Sequence, residues 1–159
     1  MKDKKKIVDI DTYMPVLREL LSQGKEVSLT ITGNSMSPFL VHQRDKILIS
    51  PPDGIWKKGD MAFFVRDNGQ YIMHRICRVD KNGDCYFVGD AQLLIEGPIK
   101  HKQIFGKITK VMRKGKWIDE HDFWWQFFEK VWIRLIPFRP LLRKVYAIVW
   151  RLKRIYGIL

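Results

Sequence analysis

A mostly β, partly closed antiparallel fold with a short N-terminal helix and a helical C-terminal tail is what this chain's pattern predicts. Three observations carry the expectation. Short runs rich in Val, Ile, Leu, Thr and Phe recur between residues 26 and 113, and they are separated by Pro and Gly punctuation. One segment ahead of them carries helical spacing. A second stretch of helical periodicity, basic and aromatic, closes the chain.

In chain order, 11–23 places Met14, Leu17, Leu20 and Leu21 on one helical face and ends before Gly24, a residue suited to closing a helix. Residues 26–32 alternate and are dominated by strand formers. Further strands are expected at 46–50, 61–65, 71–79, 85–88 and 104–113, with turns at Pro51-Pro52, 67–69 and 81–84. Many short strands with few helices suit a partly closed antiparallel arrangement. The chain is read as two parts, a β unit over 1–118 and a tail over 119–159.

The 159 residues are enough for one domain with an appendage, and a 46% hydrophobic content supports a packed core without disulfides. A formal net charge of +12 points to phosphate-bearing partners, either nucleic acid or an anionic membrane. The distribution of that charge separates the two.

Much of it lies in 122–159, where eight Lys or Arg face two acids among Phe123, Trp124, Trp125, Phe127, Phe128, Trp132, Trp150 and other aromatics. From Leu141, the apolar residues Val145, Ile148, Leu152, Ile155 and Leu159 follow at steps of four and three. At about 100° per residue they form one face, with Arg143, Lys144, Arg151 and Arg154 opposite. A basic amphipathic helix with aromatic borders fits an anionic membrane surface. Its longest uncharged run, 145–150, is far short of the roughly 20 residues a span requires. Packing of the stripe on the β unit or on a second copy is the competing reading. Single-stranded nucleic acid also suits basic and aromatic interleaving, but the broad aliphatic face argues against it.

The chemistry-bearing residues are Ser35, His74 and Asp90, one in each of three separate segments. A serine hydroxyl needs a base working near pH 7, and that base needs a partner to hold its tautomer. Histidine, with an ordinary pKa of roughly 6.5, fits the base role. Each residue also has an ordinary structural reading: a turn serine after Gly33-Asn34, a core histidine in an apolar strand, and a turn aspartate after Gly89. His42, His101 and His121 have no ligand spacing among themselves or with the cysteines, and no metal or other cofactor is expected.

The string G-N-S-M-S-P-F-L at 33–40, with K-K-G-D at 57–60, H-R-I at 74–76 and G-D at 89–90, resembles the signal peptidase I group. It also resembles the wider serine peptidase superfamily that group shares with LexA-type self-cleaving repressors. The resemblance covers about 27–111. It implies a partly closed antiparallel β peptidase fold in which Ser35 is the nucleophile. Histidine at 74, where many members carry lysine, resembles the endoplasmic-reticulum, archaeal and spore-former branch, and it implies His74 as general base with Asp90 supporting it. A second acid usually follows the family's aspartate, and Glu96 is the nearest candidate. Where the family often reads K-G-D-N, this chain reads V-G-D-A.

Position 33 is glycine where some lysine-type relatives carry an oxyanion-binding serine. The oxyanion would therefore rest on the Ser35 backbone N–H, with Asn34 or another backbone donor in support. One such donor is worth about 3 kcal/mol. The family's N-terminal membrane anchor has no counterpart here, because the basic start M-K-D-K-K-K-I-V-D-I-D is followed by no apolar run. The expectation is a peripheral membrane serine endopeptidase on the cytoplasmic side that cleaves a leader, signal or precursor peptide with small residues before the scissile bond. A LexA-like self-cleaving regulator is disfavoured by the short segment ahead of Ser35. A catalytically idle, membrane-associated module of the same fold is the alternative, and a basic nucleic-acid binder is a weaker one. Cys77 and Cys85 flank the turn at 81–84 and face each other only in one of two possible registers.

Overall fold

The computed structural model describes residues 10–142 together with 144, 145 and 148. It is a mostly antiparallel β structure with a short N-terminal helix and a helical C-terminal segment. After α1 (Ile10–Ser22) come β1 (Val27–Thr30), β2 (Lys46–Ser50), β3 (Met61–Val65), β4 (Tyr71–Val79), β5 (Cys85–Val88) and β6 (Glu96–Ile99). β7 (Ile104–Arg113) and β8 (Lys116–Ile118) complete the sheet. The strands run in the order β1-β2-β7-β3-β4-β5-β6, with β8 paired to β7.

The helical period of α1 puts Met14, Leu17 and Leu21 on one face, and all three are buried. They join Ile31, Ile47, Ile49, Phe63, Ile108 and Val111 in the main core. Alternation in β2 sends Ile47 and Ile49 inward while Lys46 stays exposed. A second apolar cluster, built on Phe64, Ile76, Phe87 and Ile104, fills the far side of β3 and β4. Two-sided burial explains why β3 reads as a continuous apolar run rather than an alternating one.

β6 and β8 were not anticipated. β6 contains Gly97-Pro98, which reads locally as a turn. At the end of the strand order, however, proline's missing N–H costs the ladder nothing. β7 and β8 form a tight hairpin in which Arg113 pairs with Lys116, and both loop residues, Lys114 and Gly115, have positive φ.

The first part of the tail belongs to the folded body. An α-helical turn at Phe123–Gln126 starts on Asp122, whose carboxylate accepts from the Trp124 and Trp125 N–H groups. It continues as a π-helical turn over Phe127–Val131 and a 3-10 stretch over Trp132–Phe138. Trp125 and Phe128 bury in the same core as Met36 and Phe39, with the Phe39 ring edge-on to Trp125 at 6.1 Å and tilted to Phe128 at 4.9 Å. A cut at 118 would therefore remove core residues. Most of the amphipathic stripe read from Leu141 onward lies outside the described residues. No helix among the described residues is long and apolar enough to cross a membrane.

β5 pairs Cys85 with Val79, so the register that would place Cys77 opposite Cys85 is not used. Both thiols are free and buried. Burial raises both from their ordinary pKa, that of Cys85 to about 11.

Candidate active site

Ser35 sits in a turn between β1 and β2 whose base is closed by main-chain bonds. The Ile31 N–H donates to the Asp45 carbonyl at 2.9 Å, and the Gln43 N–H donates to the Ile31 carbonyl at 2.8 Å. Inside the loop, the Gly33 N–H donates to His42 Nδ1 at 2.9 Å. Gly33 has φ +85°, a conformation that favours glycine. Met36 and Phe39 turn inward as core residues, which leaves Ser35 half-buried between them and the exposed Asn34.

His74 lies in β4 opposite Ala62 of β3. Ser35 and His74 line one cavity of about 650 Å³, together with Ser28, Leu29 and Thr30 of β1 and Tyr71, Ile72 and Met73 of β4. Three strands lie between β1 and β4 in the sheet order, so the sheet must curl for both to reach one cavity. Among the described residues β1 pairs only with β2. The β4–β5 pairing starts at Arg75, so no strand among the described residues pairs with the other side of Tyr71–His74. Two unpaired strand edges thus border the cavity that holds Ser35 and His74.

The imidazole of His74 is 4% exposed, and its Nδ1 has no hydrogen-bond partner among the described residues. Burial lowers its pKa from 6.5 to about 4. Glu96 opposes that shift and Arg66 reinforces it. His74 is consequently neutral at pH 7, able to accept a proton but with little driving force to do so.

Asp90 stands elsewhere. Successive strand side chains point to opposite faces, and the neighbour of His74, Arg75, reaches Asp90 through Nε to Oδ1 at 3.0 Å and Nη2 to Oδ2 at 3.1 Å. Both side chains are fully buried, and Arg75 Nη1 also donates to the Gly59 carbonyl at 2.9 Å. The carboxylate expected to orient His74 is thus occupied by a guanidinium, and it makes no hydrogen bond to Nδ1. Glu96 forms a two-pronged pair with Arg66, using Arg66 Nη2 at 2.7 Å and Arg66 Nε. Of the two acids, Glu96 is the one whose field reaches His74.

The residue after Asp90 connects to the Ser35 segment through the backbone. The Ala91 N–H donates to the Ser35 carbonyl at 2.8 Å. A Cβ on Gly89 would stand 2.6 Å from that same oxygen, so only glycine allows this approach. The Gly-Asp pair therefore holds the Ser35 loop against the 89–91 turn.

Two further residues brace that turn. Trp132 Nε1–H donates to the Asp90 carbonyl at 2.9 Å. Arg139, 2% exposed, donates from Nη1 to the carbonyls of Gly89 at 2.9 Å and Gln92 at 2.6 Å. Both belong to the segment read as a tail. Their surroundings in the sequence carry no signal beyond a basic and aromatic composition.

No protein-family model, curated protein or solved structure matches this chain. The class the fold and site define is an antiparallel β protein that presents a serine and a neutral histidine in a cavity between two open strand edges.

Proposed function

We propose that the protein is a serine endopeptidase of the signal peptidase type, in its histidine-base branch, acting on a leader, signal or precursor peptide. The observation that carries the reading is the single cavity lined by Ser35 and His74 and bordered by the unpaired edges of β1 and β4. Such a cavity suits an extended peptide, which gains main-chain hydrogen bonds from a strand edge and selectivity from alternate side-chain pockets. In this mechanism His74 accepts the Ser35 hydroxyl proton as Oγ attacks the scissile carbonyl. The oxyanion is met by the Ser35 N–H with Asn34 nearby. The tetrahedral adduct collapses to an acyl-enzyme as His74 gives the proton to the leaving amine, and water repeats the sequence to release the acid.

A neutral imidazole is the required starting form, and the low pKa of His74 supplies it at pH 7. Of the charges that act on the imidazole, Glu96 favours the imidazolium formed during attack, and its partner Arg66 opposes it. Asp90 acts in this scheme as a positioning residue, through Arg75 and through the Ala91–Ser35 bond. The exposed apolar side chains of Phe138, Leu141, Leu142, Val145 and Ile148, in a strongly basic segment, support attachment of the same protein to an anionic membrane surface.

One observation favours a second reading. A His74 Nδ1 without a partner is what a catalytically idle binding module of the same fold would tolerate. Cleavage of a diverse peptide library separates the two. Wild-type protein should yield cuts that Ser35→Ala and His74→Ala each abolish; full cutting by either variant ends the mechanism, and no cutting by the wild type favours the idle module.

A further inference from the structure

A second groove lies away from Ser35 and His74, where the 3-10 stretch Trp132–Phe138 packs beside β4. It is lined by Lys58, Arg78 and Arg134 together with Cys77, Ile95, Ile133, Ile136 and Pro137, with a volume of about 700 Å³. Among the described residues its lining contains cations and no acid. Neither Lys58 nor Arg134 has a carboxylate partner among the described residues, and Arg78 stacks at 3.8 Å over the Tyr86 ring rather than on an anion. The chain next to the lining residues is apolar and exposed as well. Leu93, Leu94 and Ile95 are 46%, 80% and 48% exposed, and Phe138, Leu141 and Leu142, which follow Pro137 in the chain, are exposed.

We infer that this groove seats an anionic lipid at a bilayer surface, its headgroup on Lys58, Arg78 and Arg134 and its acyl chain along the isoleucines. The inference rests on the membrane attachment proposed above but assigns a site within the folded body, apart from the basic stripe beyond residue 142. Charge complementarity selects the occupant. A second copy of a chain carrying +12 would oppose cations with cations, and nucleic acid would leave the aliphatic walls without a partner, since bases stack on aromatic side chains. An anionic amphiphile matches both the cations and the aliphatic side chains of the lining.

The test is sedimentation of the full chain with phosphatidylglycerol–phosphatidylcholine vesicles and with phosphatidylcholine alone. The wild type should bind only the anionic vesicles. Lys58→Gln with Arg78→Gln should weaken that binding about thirtyfold, whereas Lys46→Gln with Lys110→Gln, an equal charge loss on the exposed side of β2 and β7, should change it little. Should loss of the Arg78–Tyr86 stack unfold the first variant, Lys58→Gln with Arg134→Gln replaces it. Equal losses in groove and control variants, wild-type binding to neutral vesicles alone, or no binding at all would overturn the inference. If Arg151→Gln with Lys153→Gln abolishes binding while the groove variant retains it, the groove fails and tail attachment stands. Acylation of Ser35, measured separately, reports on the peptidase reading.

Discussion

Burial of His74 makes the stability of the protein depend on pH in a window set by one side chain. In the unfolded chain the imidazole takes up a proton near pH 6.5; in the folded protein it does so only near 4. Between those values the unfolded state binds more protons, so stability falls as pH falls. Above 6.5 and below 4 this contribution is flat. At about 1.4 kcal/mol per pH unit, the gap between 6.5 and about 4 comes to about 3 kcal/mol. Asp60 works the other way, because burial raises its pKa and its folded form holds a proton longer. The comparison must therefore be between wild type and His74→Gln, in which only the imidazole is removed. Urea unfolding at pH 7 and pH 4 should show the wild type losing about 3 kcal/mol more than the variant over this interval. Equal losses in the two proteins would refute the burial argument. A variant that loses more than the wild type would reverse its sign.

Three other expectations follow from named contacts. Asp90→Asn leaves the fully buried Arg75 without its counter-charge and should cost about 3–5 kcal/mol in urea unfolding; wild-type stability would mean that the pair is not buried as described. Gly89→Ala drives a Cβ against the Ser35 carbonyl, and it should cut the rate of Ser35 acylation while lowering stability by about 1–3 kcal/mol. An unchanged rate would show that the 89–91 turn does not position the nucleophile. Phe128→Ala should cost about 3–5 kcal/mol, because its ring packs on Phe39 beneath the Ser35 loop. A loss below about 1 kcal/mol would make the segment from 123 the separable appendage that its composition suggests.

Legibility in the sequence followed the physics of each element. Strands such as β2 and β4 were readable because alternation and β-branched residues are local signals, and α1 because its apolar spacing is. β6 was hidden because Gly97-Pro98 is a turn signal by local chemistry, and only its edge position makes it a strand. Ser35 and His74 were found through their flanking residues, and the structure brings them to one cavity. The role expected of Asp90 did not survive in its simple form. A serine, a histidine and an aspartate in order say nothing about which face of β4 each approaches, and the adjacent Arg75 takes the carboxylate instead. Trp132 and Arg139 were invisible as site-bracing groups, because their partners are backbone carbonyls some 42 to 50 residues away. The basic, aromatic composition of 122–159 suggested an appended tail, but composition does not say which aromatics are covered, and at its start Trp125, Phe128 and Ile133 are buried.

The central claim is that Ser35 is a nucleophile activated by His74. Intact-mass and peptide-mapping analysis after exposure to an active-site-directed serine acylating reagent tests it most directly. One adduct on Ser35 in the wild type, its formation lost in His74→Ala and declining only as pH falls toward about 4, is the expected result. No adduct on Ser35, or one that forms equally fast without His74, would contradict it.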